Sequence, residues 1–207
     1  MINARELFGD IDIYLFDQIL KNQFTSQMRI LDAGCGRGRN LIYFLRIGCD
    51  VFGIDQNPDA IQYARQMAKA LNSQSSPDNF RVSKVEEMPF PGLSFEAVIS
   101  SAVLHFAADE NHFRDMLEEM WRVLKPNGLL FIRLASSIGI EDKIKPLGNR
   151  RYDLPDGSER FLVDEGLLVD LTKNLGGKLI EPIKTTNVQN LRCMTTWVIR
   201  KENTEKH

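Results

Sequence analysis

Apolar residues along this chain alternate between short continuous runs and longer stretches with an apolar residue at every third or fourth position. The runs 28–31, 51–54, 80–85, 97–101 and 129–134 read as buried strands. Between them lie amphipathic segments. Residues 40–46 turn Leu41, Phe44 and Leu45 inward and end at Gly48. Asn57 and Pro58 form a cap and first helical position before Ile61, Ala64, Ala68 and Leu71 on one face. Residues 111–124 carry Phe113, Met116, Leu117, Met120 and Leu124, and Lys125-Pro126-Asn127-Gly128 stops that helix. Upstream, residues 10–24 place Ile13, Phe16, Ile19 and Leu20 at helical spacing. Strands alternating with helices predict an α/β fold, a doubly wound, mostly parallel sheet covered on both faces.

The alternation breaks at residues 135–162, which contain Pro146, Gly148, Pro155 and Gly157 and read as a long irregular loop. After it, Asp164 starts a helix with Leu167, Leu168, Leu171 and Leu175 inward, closed by Gly176-Gly177. Residues 178–188 and 191–201 read as a hairpin turning near Asn187 and Asn190, with Pro182 marking the first strand as an edge or a bulge.

The segment from Ile30 to Asn40, ILDAGCGRGRN, concentrates the candidate chemistry. A strand runs into Gly34, Gly36 and Gly38, where the backbone can approach a ligand and adopt positive φ. Free N–H groups at the following helix start are expected to favour a polar or anionic group. Asp55 ends the second apolar run, where an acid holds ribose hydroxyls. The glycine spacing differs from the dinucleotide pattern G-x-G-x-x-G/A. Asp32, beside the first glycine, would repel a pyrophosphate but attract an α-amino group. S-adenosylmethionine, with a ribose, a sulfonium and an amino-acid tail, matches both features.

Together with Asp55 and the later stretch Trp121-Arg122-Val123-Leu124-Lys125-Pro126-Asn127-Gly128, this segment resembles class I S-adenosylmethionine-dependent methyltransferases over residues 28–136. The ending Gly38-Arg39-Asn40 is most similar to small-molecule members, including tellurite- and thiopurine-type enzymes. The resemblance implies a Rossmann-like, seven-stranded sheet whose last strand is antiparallel. It also implies one domain over 1–207: an N-terminal cap helix (1–27), a cofactor-binding core (28–136), a substrate-side loop (137–162), and a last helix with a C-terminal hairpin (163–201). The expected activity is in-line transfer of a methyl group to a small-molecule acceptor. A catalytically silent S-adenosylmethionine-binding regulator and a nicotinamide-dependent dehydrogenase are the alternatives.

The expected cofactor contacts are Asp32, Gly34, Cys35, Gly36, Arg39, Asn40, Asp55, Gln56, Val85, Glu86 and Ser101. Asp32 either meets the methionine end or braces the turn. Arg39 either meets a carboxylate or is solvated, and Asn40 suits a helix cap. Gln56 lines the adenine side. The Val85 N–H and Glu86 are expected there too, because Lys84 stands where many relatives carry an acid. Ser101 follows the fourth strand and is expected at the cleft edge. His105 has two readings: a general base, or a hydrogen-bonded packing residue. Arg133, with Lys143, Lys145, Arg150, Arg151 and Tyr152, either grips an anionic substrate or belongs to a solvated charged loop.

Bulk properties narrow the partners. A net charge of -2 supplies no general attraction to nucleic acid or anionic membrane. The expectation is therefore a small-molecule partner, with oligomeric state left open. Cys35, Cys49 and Cys193 show no metal-ligand spacing and read as buried thiols of a cytoplasmic protein. No metal is expected. No run is long enough to span a bilayer, and the first residues lack an apolar signal core.

Overall fold

Strands buried on both faces need helices above and below, and the computed structural model, which describes residues 3–203, supplies them. Helices α1 (Ala4–Phe8) and α2 (Ile13–Leu20) lead into β1 (Arg29–Ala33). Next come α3 (Ile42–Arg46), β2 (Asp50–Asp55), α4 (Pro58–Leu71), β3 (Phe80–Val82), β4 (Phe95–Ser101), α5 (Glu110–Val123) and β5 (Leu124–Ser136). An insert holds β6 (Lys145–Gly148), β7 (Arg151–Asp153) and β8 (Glu159–Phe161). Then follow α6 (Glu165–Asn174), β9 (Gly177–Leu179), β10 (Lys184–Val188) and β11 (Arg192–Lys201).

The main sheet runs β10-β11-β5-β4-β1-β2-β3, with the short β9 also paired to β11. Strands β3, β2, β1, β4 and β5 are parallel, and β11 is antiparallel to β5. The expected doubly wound sheet is therefore present. Strand order reverses at β1, so the crevice beyond the carboxyl ends of β1 and β4 is where this topology places a ligand. Alternate residues of each strand feed two cores. Leu31, Val98 and Leu130 pack with α5 and α6 residues, while Ile30, Ala97 and Phe131 pack with those of α2, α3 and α4.

Four expectations change. Residues 137–162 are not irregular: β6, β7 and β8 form a separate antiparallel sheet with a small core of Ala135, Leu154 and Leu162. The strand expected over 178–188 is divided into β9 and β10 around Pro182, which has no N–H for a ladder. Helix α2 turns Leu15 and Ile19 inward, while Ile13 and Leu20 are exposed. Helix α3 begins at Ile42, with Leu41 at its cap and no side-chain bond there, so Asn40 does not cap it. In contrast, Asn57 Oδ1 accepts from the Asp59 and Ala60 N–H groups and Pro58 starts α4 as expected. The final hairpin turns through Gln189 and Asn190, both at positive φ, the geometry of tight hairpin turns.

Candidate active site

The glycine bend has already used several of its N–H groups. Those of Gly34 and Cys35 donate to Ile54 O, that of Gly36 to Asp55 Oδ2 at 2.9 Å, and that of Gly38 to Cys35 O. The expected anion-favouring N–H cluster is thereby largely spent inside the protein. Gly34 sits at φ +84°, and a Cβ there would lie 2.4 Å from Val103 Cγ2. Only glycine fits this contact between the β1 and β4 ends.

Asp32, at the end of β1, is sealed from solvent, and neither carboxylate oxygen has a hydrogen-bond partner among the described residues. Burial pushes its carboxyl up to about 7; the negative Asp55 adds to this, and Arg39 opposes it. An ionised carboxylate in this position calls for a cationic partner.

Asp55 accepts from Gly36 N and Asn57 N, one bond on each oxygen, and keeps acceptor capacity for hydroxyl groups. It lines a cavity of about 270 Å³ together with Gly34, Gln56, Val85, Glu86 and Ala102. Ser83, Lys84, Val103, Phe106, His112 and Met116 complete that wall; the sequence did not single out the last four for this role. The His112 Nδ1 accepts from Ala108 N and its other ring nitrogen lies 3.4 Å from Glu86 Oε1, orienting that carboxylate. Arg122 donates to Met88 O and Phe90 O, and Glu119 accepts from Met88 N, so α5 holds the segment carrying Val85 and Glu86.

The other expected contacts, Asp32, Cys35, Gly36, Arg39, Asn40 and Ser101, lie off this cavity wall. The Cys35 thiol packs beneath Gly53 and donates to Gly36 O at 3.5 Å, and burial raises it well above its ordinary value. Asn40 Oδ1 accepts from Asp12 N. Ser101 donates to Asp12 Oδ2 and accepts from Arg39, which also donates to Asp10 O. These three residues fasten the N-terminal segment across the rim of the crevice. Asp12 is their hub: it caps α2 through Tyr14 N and takes Arg133 at 2.9 Å. Locally the sequence marks Asp12 only as a helix cap, because Asn40, Ser101 and Arg133 all lie far along the chain.

His105 is buried, and its Nδ1 accepts from Ala135 N at 3.2 Å. Burial, aided by the Arg160 charge, lowers it to about 4. The neutral ring therefore carries its proton on Nε2 and has no spare lone pair for a base, which favours the packing reading. His105→Asn, whose amide oxygen can replace Nδ1, is expected to keep stability and turnover. His105→Ala leaves the Ala135 N–H unpaired and is expected to lose about 1–3 kcal/mol in urea unfolding. A large fall in turnover for His105→Asn at unchanged stability would restore the base.

The basic stretch divides. Arg150 pairs with Glu110 and Asp164, Arg151 with Glu159, and Lys143 with Asp142. Arg133 instead enters a second cavity beside the first, and Ala102 belongs to both walls. Ala102 itself sits at φ +63°, with its N–H donating to Arg133 O. No group of three or more metal-ligating residues occurs among the described residues.

A family model described as a methyltransferase domain matches residues 31–132, from β1 into β5. The chain belongs to the class I S-adenosylmethionine-dependent methyltransferase family. It is 32% identical over 170 residues to a ubiquinone biosynthesis O-methyltransferase of Chelativorans sp. (strain BNC1), covering 75% of this chain and 64% of that protein. Identity to a malonyl-[acyl-carrier protein] O-methyltransferase of Enterobacter lignolyticus (strain SCF1) is 30% over 142 residues, 67% of this chain and 51% of that one. The chain thus spans about half to two thirds of these relatives' length. A similar fold occurs in a Burkholderia thailandensis 1,6-didemethyltoxoflavin-N1-methyltransferase with bound 1,6-didemethyltoxoflavin and S-adenosylhomocysteine. The TM-score is 0.68 at 18% identity, covering 95% of this chain and 80% of that one.

The methyltransferase cofactor fits the residues present. The orphaned Asp32 carboxylate suits a cationic amino group, the spent bend does not cradle a phosphate, and Asp55 can accept from a ribose.

Proposed function

We propose that the chain transfers the methyl group of S-adenosylmethionine to a small-molecule acceptor. The observation that carries this reading is Asp32, a buried carboxylate without a partner beside a bend that has little left to offer a phosphate. The same observation weighs against a nicotinamide dehydrogenase. When bound, S-adenosylmethionine supplies an electrophilic methyl carbon and a thioether leaving group.

This chain's residues supply alignment. Asp32 would hold the amino group, Asp55 the ribose, and the Gln56, Val85 and Glu86 wall the adenine. Gly34 lets the backbone come close. Ala102 leaves the two cavities in contact, so that an acceptor in the second faces the first. With Nδ1 of His105 engaged, the acceptor either arrives ionised or releases its proton to water. The two curated relatives described above are named O-methyltransferases, which supports an oxygen acceptor more than the tellurite or thiopurine type. No helix among the described residues is long and apolar enough to cross a membrane. The three free, buried thiols fit the reducing cytoplasm.

Incubation with methyl-labelled cofactor and a metabolite pool should yield a labelled small molecule. Asp55→Ala should weaken S-adenosylhomocysteine binding tenfold or more, on the order of the loss of charge-assisted hydrogen bonds. Tight cofactor binding with no product across a broad acceptor panel would support a silent regulator instead. Unchanged affinity in Asp55→Ala would remove Asp55 from the site.

A further inference from the structure

The second cavity, of about 280 Å³, sets Arg133, Arg160 and Arg192 against a single carboxylate, Asp156. That carboxylate is engaged: it accepts from the Ser158 N–H and hydroxyl and lies 3.4 Å from Arg192. Asp12 serves two guanidinium groups, Arg133 at 2.9 Å and Arg39 at 3.8 Å, and also takes the Ser101 hydroxyl. The buried Nε of Arg133 has no partner. Arg160 lies over the Phe106 ring, donates to Glu159 O, and meets no carboxylate among the described residues. His105, on the same wall, presents an N–H rather than a lone pair. The unspent polar groups are therefore donors, two of them cationic, in a chain whose net charge is -2. Such a wall is complementary to an oxyanion, which takes several N–H bonds from arginine forks at once.

We propose that the methyl acceptor carries an oxyanionic group, a carboxylate or a phosphate, seated on Arg160 and Arg133. This inference rests on the methyl-transfer reading of the adjoining cavity. Its volume, near the lower end of small-molecule sites, suits a compact acid. The insert β6–β8 supplies Arg160, and β5 supplies Arg133, so the anion would bridge the insert and the main sheet.

The test uses the full chain saturated with S-adenosylhomocysteine and titrated, by protein-observed NMR, with benzoate, phenyl phosphate and benzamide. At least one anion is expected to bind tenfold or more tightly than benzamide and to shift the arginine Nε–H resonances. Comparing the two anions identifies the preferred group. Arg160→Gln should cost that anion tenfold while leaving benzamide unaffected. Should this variant fail to fold, the unaltered protein serves: added sodium chloride must weaken the anion and not benzamide. Equal binding of all three probes, absence of any anion binding, or a preference retained in Arg160→Gln or insensitive to salt would overturn the proposal. A chain that does not bind S-adenosylhomocysteine refutes the methyl-transfer reading itself. One that binds it without anion preference refutes only this inference.

Discussion

Asp32→Asn is expected to raise the melting temperature of the ligand-free protein at pH 8 while weakening its hold on S-adenosylhomocysteine at least tenfold. The sign follows from linkage. The folded carboxyl titrates near 7 against an ordinary value of 3.8, so between these the folded state keeps a proton that the unfolded chain has lost. Stability from this group therefore falls as pH rises through that window and stays low above it. The cost at pH 8 is about 4 kcal/mol at most, and an uncharged amide, itself poorly partnered, recovers on the order of 2–3 kcal/mol. For a chain of this size that corresponds to roughly 5–10 °C. At pH 4 the two proteins should melt alike. Affinity should move the other way, because the amide cannot neutralise an amino group. In the unaltered protein, affinity should rise with pH up to about 7 and then level off. Calorimetry and thermal melts across pH 4–9 check both trends; a variant that melts and binds like the parent at pH 8 would sink the assignment of Asp32.

Gly34→Ala should be the most disruptive single methyl addition in the crevice. The new Cβ meets Val103 Cγ2 at 2.4 Å and the residue must keep φ near +84°. The left-handed conformation costs about 1–2 kcal/mol, and the overpacking on the order of 1–3 kcal/mol more. Cofactor binding should be lost with the distorted bend. The double variant Gly34→Ala/Val103→Ala separates the two contributions, since the nearest remaining Val103 atom is Cβ at 3.3 Å. It should regain the packing part in urea unfolding but not the backbone part. If the double variant is no more stable than Gly34→Ala, the clash is not the cause.

The main sheet was legible because its strands and helices announce themselves locally. Asn57-Pro58 starts α4 where it should, and Leu41, Phe44 and Leu45 are buried as their spacing predicts. Part of the cavity wall was legible for the same reason: Gly34, Asp55 and Gln56 sit at the ends of β1 and β2, and Val85 and Glu86, just beyond β3, meet them at one cavity. The insert was not legible. Its strands are short, β6 is exposed throughout, and Pro146 lies within it, so no alternation of polar and apolar positions survives. Arg39, Asn40 and Ser101 were expected as cofactor contacts but gather around Asp12, which the sequence reading missed. Its place before α2 marks only a helix cap, its other partners lie far away in sequence, and periodicity reports nothing of those.

The small sheet β6–β8 packs Leu154 and Leu162 on Ala135 of β5, and its Phe161 enters the main core and stacks on Phe113 of α5. The wall it gives the crevice is therefore anchored by its last strand, while β6 and β7 contribute nothing to the two main cores. Mutations that keep Phe161 can remodel β6 and β7 without touching either main core. With the acceptor seated as proposed, evolution on this scaffold can change which molecule is modified and keep the donor constant, and an engineer seeking new acceptors should begin by diversifying residues 145–160.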